Sequence, residues 1–254
     1  CIQCVCATPG MCSRTIMNRV TETAFLQMSE YIQDRSATDV QLQPPFRDGL
    51  EHATAEAEEN ALRTPSLMVG QLLTTLAAST AAAASSQGAV VISPAAAVVG
   101  LHILRGLHEK ATLTCIEPEA ALQAEAKEAF QLGGFAPARA RFLTARPLDV
   151  IGRLAADSYQ LIYADVAPVE LPAFMSAAWP LLTAGGTLVV AHSLLDGTVA
   201  DPLRRDRDTD AARRADTFLD ELTAEHDAVT TRLPLDGGLS LITKRERLAS
   251  KAPA

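Results

Sequence analysis

The sequence predicts an α/β protein with a mainly parallel sheet of seven strands and helices on both faces. From residue 89 onward, short apolar segments typical of strands alternate with segments of helical periodicity. Such alternation favours a parallel sheet covered on both sides. Near the C-terminus, two further strand-like segments flank Asp236-Gly237-Gly238, a turn that predicts an antiparallel hairpin.

The alternating part contains five strand-like segments, four helical segments and then the hairpin. Strands are predicted near 89–93, 111–117, 140–144, 159–165 and 186–192, with helices near 96–108, 118–132, 147–155 and 170–183. A long charged helix at 201–226 precedes the hairpin strands 228–233 and 239–244.

An N-terminal helical cap is predicted before the sheet. Helical spacing covers 15–35 and 49–62, and Thr64-Pro65-Ser66 begins a third helix that extends to Ala83. We interpret residues 17–245 as one domain, preceded by a disordered leader (1–16) and followed by a tail (246–254).

Composition favours a small-molecule partner. The chain has 254 residues, of which 48% are hydrophobic, and a net charge of −8. An acidic protein lacks the basic face that nucleic acid or an anionic membrane requires, so neither is expected as a partner. No apolar run reaches the length of a membrane span, and the N-terminus does not resemble a signal peptide, so a cytoplasmic location is expected.

Four of the five cysteines lie within the first twelve residues, at Cys1, Cys4, Cys6 and Cys12. No histidine or further cysteine pair completes a spaced zinc site, so a leader without a metal is favoured over a metal-binding knuckle. The fifth, Cys115, lies inside a predicted strand and is assigned to the core.

Two acids follow predicted strands directly. Glu117 ends the strand near 111–117, and Asp165 ends the strand near 159–165. Ligands of open α/β sheets gather at the carboxyl ends of the strands, so both acids are predicted to face a ligand site. The turn between Ile92 and Ala96 occupies the place where nucleotide-binding proteins carry a glycine loop, but it contains no glycine.

Several segments together resemble the class I S-adenosylmethionine-dependent methyltransferases of the catechol and caffeoyl-CoA O-methyltransferase type. The resemblance covers about residues 65–244 and is carried by the segments 115–119, 159–165, 185–202 and 235–239. It implies a Rossmann-like fold, S-adenosyl-L-methionine as cofactor, methyl transfer to a hydroxyl group of a small-molecule acceptor, and a homodimer.

The resemblance also implies cofactor-binding residues. Glu117 matches the acid that binds the ribose hydroxyls, with capping of the following helix as the alternative. Arg146 and Pro147 match adenine contacts, and Met68 matches the methionine end, although core packing is the alternative for Met68. The remaining predicted cofactor contacts are Ser93, Ala95, Ala97 and Asp165.

The glycine loop departs from the family pattern. Members read Glu-x-Gly-x-Gly-x-Gly, and the matching residues here are Val91, Ser93, Ala95 and Ala97. Glycine permits positive φ and close approach of a ligand, whereas each added methyl group crowds the cofactor. Pro94 also removes one backbone N–H donor.

The metal site departs as well. Asp165 matches the first aspartate of the magnesium site, but Ala191-His192 replaces an Asp-Asn pair and Pro168 replaces the catalytic lysine. Because Mg²⁺ prefers oxygen ligands, no metal site is predicted. Instead, His192 is the candidate general base and Asp165 orients it or the substrate, with a structural hydrogen bond from His192 to a loop carbonyl as the alternative.

Two other functions compete with a methyltransferase. One is a non-catalytic, dimeric binding module that keeps the fold but has a degraded cofactor site. The other is an NAD-type oxidoreductase, which the C-terminal hairpin and the absent glycine fingerprint disfavour.

Overall fold

The computed structural model describes residues 23–35, 43–79, 88–225 and 227–246. The chain divides into two compact units, Cys1–Gln43 and Pro44–Ala254. In the first unit, residues 23–35 form helix α1. The predicted leader, its four cysteines and residues 247–254 of the predicted tail lie outside the described residues. No helix in the described part of the chain is long and apolar enough to cross a membrane.

The second unit contains one seven-stranded sheet in the order β3-β2-β1-β4-β5-β7-β6. Strands β1 to β5 pair in parallel, and β7 pairs antiparallel with both β5 and β6. This confirms the predicted fold class. The strands are β1 (Gly88–Ile92), β2 (Thr112–Ile116), β3 (Ala140–Leu143), β4 (Tyr159–Ala164), β5 (Leu182–Val190), β6 (Ala228–Leu233) and β7 (Leu239–Lys244).

Seven helices surround this sheet in the described part of the second unit. They are α2 (Phe46–Glu59), α3 (Leu67–Ser79), α4 (Ala96–Gly106), α5 (Ala120–Leu132), α6 (Pro147–Val150), α7 (Leu171–Ala178) and α8 (Arg207–Ala224). Apolar side chains of α7 and α8 form one core with β1, β4 and β5. Right-handed crossovers place α4 and α7 on opposite faces, because the chain adds β2 on one side of the sheet centre and β5 on the other.

Four predicted helices have wrong boundaries. The helix predicted at 49–62 is α2, which covers Phe46–Glu59. The helix predicted at 170–183 ends at Ala178, a 3₁₀ turn follows at Trp179–Leu181, and β5 begins at Leu182. The predicted helix at 147–155 is α helical only over Pro147–Val150. The last long helix begins at Arg207 instead of residue 201, because the Asp206 side chain accepts the Thr209 N–H at 2.9 Å and caps the helix there.

Close packing of α3 against α4 depends on two glycines. A Cβ at Gly106 would overlap the Thr74 carbonyl oxygen and lie 2.8 Å from the Ala77 Cβ. A Cβ at Gly70 would overlap the His102 imidazole. The two helices therefore approach one another at a distance that no larger residue permits without a shift of backbone.

We expect Gly106→Ala to lower the free energy of unfolding by about 1–3 kcal/mol, because the added methyl group forces the α3 backbone away. Gly152→Ala is the matched control, since a Cβ there meets nothing within 4 Å. Urea denaturation of both variants measures the difference. Equal stability of the two variants would contradict the proposed close approach.

His102 is a packing residue of the same interface. Its side chain is buried, and its ring contacts the Phe46 ring edge-on with the centroids 5.7 Å apart. Burial lowers the pKa of His102 from 6.5 to about 4, and the positive charge of Arg105 contributes to the same shift. The imidazole is therefore neutral in the folded protein at neutral pH.

This pKa predicts acid sensitivity. Between pH 6.5 and pH 4 the unfolded chain protonates this histidine more readily than the folded protein does, so stability falls as the pH decreases through this window. The contribution is at most about 3 kcal/mol. In urea denaturation at several pH values, His102→Leu should flatten this part of the profile, whereas His108→Leu, at an exposed position, should not.

Candidate functional site

The carboxyl ends of β1, β2 and β4 lie side by side at the centre of the sheet. Ser93, Glu117 and Asp165 directly follow these strands. The Asp165 N–H donates to the Ile92 carbonyl at 2.8 Å, which continues the pairing of β4 with β1. The direction of chain progression reverses between β1 and β4, so this edge contains the switch point where α/β sheets bind ligands.

A cavity of about 470 Å³ opens at this edge. Its volume lies within the range of small-molecule binding sites. The cavity is lined by Asn60, Leu62, Ile92, Ser93, Pro94, Ile116, Glu117, Pro118, Glu119, Leu122, Arg146, Pro147, Asp165, Val166, Ala167 and Glu170.

Five residues predicted from the sequence line this cavity together: Ser93, Glu117, Arg146, Pro147 and Asp165. The other four, Ala95, Ala97, Met68 and His192, are not part of its lining, and their roles stay predictions.

Sequence reasoning missed Asn60, Leu62 and Glu170. Asn60 and Leu62 come from the segment between α2 and α3, where no motif marks them, so only the folded structure places them at the cavity. Glu170 precedes α7, and its carboxylate pairs with the Arg146 guanidinium at 2.9 Å. A search for acids after β4 in addition to Asp165 would have found Glu170.

Glu117 has two roles in the geometry. It lines the cavity, and its Oε1 accepts the Glu119 N–H at 2.8 Å, where Glu119 is the N-cap residue of α5. Only 5% of the residue is exposed. Burial raises the pKa of the Glu117 carboxyl, and the hydrogen bond from Glu119 opposes this effect. In the described part of the chain, no side chain caps the first-turn N–H groups of α5, so the Glu117 contact orders the segment before the helix, and both proposed roles of Glu117 stay predictions.

The turn after β1 folds without glycine. No residue of the described segment 93–97 has positive φ, and Ala95 has φ −86°. The buried Ser93 hydroxyl accepts the Ala95 N–H at 3.1 Å, which stabilises the turn. Pro94 is exposed at the cavity and Ala95 is buried outside its lining. The methyl group of Ala95 therefore does not fill the cavity.

Beside this cavity, His192 lies next to Asp165. The Ala191 N–H donates to the Ala164 carbonyl at 2.9 Å, so the ends of β4 and β5 stay paired at this point. Burial raises the pKa of the Asp165 carboxyl, while electrostatic interactions with His192 and Arg63 lower it. The half-buried His192 has φ 51°, an uncommon backbone conformation that costs free energy and is frequent at functional sites.

The turn between β6 and β7 packs against the same region. A Cβ at Gly237 would lie 3.0 Å from His192 Nδ1, so the imidazole packs against this turn. The Asp236 carboxylate accepts the Ser66 N–H at 2.7 Å and links the turn to the start of α3. Burial together with the charges of Asp165 and Asp236 raises the pKa of the Tyr163 hydroxyl.

The side chains near Asp165 do not fit a magnesium ion. In the described residues, no three His, Cys, Asp or Glu side chains are placed to hold a metal ion. At the positions where the catechol type carries an Asp-Asn pair, the chain has the methyl group of Ala191 and the imidazole of His192. One carboxylate and one imidazole do not supply the oxygen ligands that Mg²⁺ prefers.

Comparison with known proteins identifies relatives of one kind. "Putative O-methyltransferase MLBr01075" of Mycobacterium leprae (strain Br4923) is 34% identical over 191 residues, which cover 75% of this chain and 82% of that protein. A "Putative O-methyltransferase" of Mycolicibacterium vanbaalenii is 39% identical over 145 residues, or 57% of this chain and 62% of the relative's length. No protein-family model matches the chain.

Solved structures agree with the fold. A Corynebacterium glutamicum protein superimposes with a TM-score of 0.81 at 47% identity, covering 89% of this chain and 99% of that one. The O-methyltransferase TomG of Streptomyces achromogenes, crystallised in complex with SAM, superimposes with a TM-score of 0.68 at 21% identity. The superposition covers 78% of this chain and 90% of TomG.

Proposed function

The chain belongs to the O-methyltransferase family of these mycobacterial relatives. From this premise we propose that it is an S-adenosylmethionine-dependent methyltransferase. It methylates a hydroxyl group of a small molecule without a bound metal ion. The observation that carries the proposal is the cavity at the switch point, which is lined by the Glu117 and Asp165 side chains. Its position matches the ligand site of open α/β sheets.

The residues of the cavity fit the cofactor. The Glu117 carboxylate would accept hydrogen bonds from the ribose hydroxyls, and Arg146 with Pro147 would contact the adenine. Among the residues that the structure describes, four carboxylic acids but only one basic residue line the cavity, namely Glu117, Glu119, Asp165 and Glu170 against Arg146. This excess of acid favours a ligand with a positively charged sulfonium and ammonium group.

Asp165 is the candidate partner for the cofactor's ammonium group. The family's acid at the end of the first strand is replaced by Val91, which is fully buried in β1. A carboxylate therefore has to come from another strand end. Asp165 lines the cavity beside Ser93 and meets this requirement.

The chain's own residues supply acid–base chemistry at the acceptor. Bound S-adenosylmethionine supplies an activated methyl group, so alignment of the acceptor oxygen provides much of the catalysis. His192 Nδ1 or Nε2 would take the proton from the acceptor hydroxyl, and the neighbouring Asp165 carboxylate would stabilise the imidazolium that forms. The scheme assigns no step to a metal ion, since one carboxylate and one imidazole do not supply the oxygen ligands that Mg²⁺ prefers.

A non-catalytic module with the same fold is the second candidate. Pro168 stands at the position of the family's catalytic lysine, and Val91 stands at the position of its acid. Both substitutions remove functional groups and favour this alternative. Cofactor titration followed by a turnover assay separates the two: the module would bind an acceptor-like molecule without methyl transfer.

We also propose a homodimer, as the family resemblance implies. Helix α1 carries five large apolar side chains with substantial exposure, which a subunit contact would cover: Phe25, Leu26, Met28, Tyr31 and Ile32. Light scattering after size-exclusion chromatography should give twice the chain mass of 26.9 kDa, and a monomer would contradict the proposal. The cytoplasmic location and the exclusion of nucleic acid stay predictions.

Glu117→Ala should weaken binding of S-adenosylhomocysteine by about tenfold to a hundredfold, because charge-assisted hydrogen bonds to the ribose are lost. Isothermal titration calorimetry measures the affinity. Glu128→Ala, an exposed position on α5, is the control and should bind normally. Equal affinity in both variants would show that the ribose does not contact Glu117.

His192→Asn should reduce the turnover number by about 10²–10⁴-fold once an acceptor is found, because the general base is removed. Cofactor affinity should change little, and His108→Asn is the matched control on the protein surface. A metal chelator should leave the wild-type rate unchanged. Full turnover by His192→Asn would eliminate this residue as the base, and loss of activity with the chelator would refute metal independence.

A further inference from the structure

A second cavity lies at the opposite end of the parallel strands. Its volume is about 430 Å³, and it is lined where β4 and β5 begin and β7 ends. This volume also lies within the range of small-molecule sites. None of its lining residues takes part in the proposed methyl transfer: Asp157, Trp179, Pro180, Ala184, Asp227, Lys244 and Arg245.

An aromatic ring forms part of this cavity. Trp179, the single tryptophan of the chain, is half-buried and packs against the core formed by the sheet with α7 and α8. The remainder of the residue lines the cavity. An indole held by the core in this way offers a rigid surface on which a planar ring can stack at low entropic cost.

A fixed cation lies over the indole ring. Lys244 Nζ lies 6.0 Å from the centre of the Trp179 ring and donates to the Asp157 carboxylate at 2.6 Å and to the Leu182 carbonyl at 2.8 Å. An ammonium group has three N–H donors, so one donor remains for a ligand. The two protein contacts hold the ammonium in place and reduce the entropy that a ligand would otherwise lose on ordering it.

A second cation lies at the edge of this cavity. The Arg245 backbone N–H donates to the Asp227 carbonyl at 2.8 Å, which fixes the start of the side chain. The Arg245 side chain is exposed and forms no salt bridge with the residues that the structure describes. A guanidinium binds a carboxylate through two parallel hydrogen bonds, which gives this edge a preference for anions.

Two acidic residues also line this cavity. Asp157 is already paired with Lys244, and its backbone has φ 48°, a conformation that aspartate tolerates better than most residues. Asp227 also lines the cavity and has its own interactions within the chain. The groups that can donate hydrogen bonds to a ligand's carboxylate are therefore the Arg245 guanidinium and the third Lys244 N–H.

From this arrangement we propose that the cavity binds a small planar aromatic carboxylate, with its ring against Trp179 and its carboxylate on Lys244 and Arg245. The site is separate from the cofactor cavity, because the two lie at opposite ends of the same strands. A ligand here would contact the starts of β4 and β5, whose other ends carry Asp165 and His192.

The test uses 2-naphthoate as the probe and the whole chain of 254 residues saturated with S-adenosylhomocysteine. Fluorescence of Trp179 reports binding at this site directly, because the chain contains no other tryptophan. Quenching that saturates at about millimolar probe or below is the expected result, with calorimetry as an independent measurement. The neutral analogue 2-naphthamide should bind about tenfold more weakly, because it lacks the charge.

Variants distinguish this site from other binding. Arg245→Ala and Trp179→Leu should each weaken the calorimetric affinity for 2-naphthoate about tenfold, whereas Arg153→Ala, at an exposed position, should not. Thermal unfolding by circular dichroism verifies that each variant is folded. The proposal is overturned by the absence of binding, by equal affinity for the amide, by unchanged affinity in both variants, or by competition with S-adenosylhomocysteine.

Discussion

The parallel pairing of β1 with β4 is the constraint on which the rest of the molecule depends. These strands are far apart in sequence, and their register continues through the hydrogen bond from the Asp165 N–H to the Ile92 carbonyl. Because the chain runs outward from β1 and then returns to β4, the turn after β1 and the acid after β4 meet at one edge. A helix cannot close this edge, since the crossovers leave toward opposite faces. The strand order and the opposite crossovers therefore leave an open space at this edge whatever side chains line it.

Within that frame, the loss of the glycine loop has a local structural explanation. The turn needs no positive φ, and the Ser93 hydroxyl binds the N–H of Ala95 within the loop. The backbone thus reaches the helix with ordinary residues, while the cavity beside it remains open. The loop lacks glycines that would let the cofactor approach its backbone closely, whereas the acids that line the cavity can attract the cofactor's positive charge. The proposed cofactor would be held more by carboxylates than by glycine N–H groups, a balance that makes binding more sensitive to salt.

The C-terminal hairpin connects both ends of the sheet. At its turn, Asp236 binds the start of α3 and Gly237 supports His192. At the end of β7, Lys244 binds Asp157 and the carbonyl of Leu182 beside the indole. One pair of antiparallel strands therefore positions the proposed base at one end and the proposed anion site at the other. Strands are stiff along their length, so a displacement of β7 would reach both places.

The sequence by itself determined the order of strands and helices, the hairpin, and the position of Glu117 and Asp165 after their strands, because periodicity and strand ends are local properties. It also indicated Ser93, Arg146 and Pro147, which line the cavity. The sequence did not predict the end of α7 at Ala178 or the start of α8 at Arg207, because a 3₁₀ turn determines the first and a single N-cap side chain the second. Only the tertiary structure brought Asn60 and Leu62 to the site and Trp179 next to Lys244. Those neighbours come from segments distant in the chain, and pairing and packing between such segments leave no pattern in either one alone.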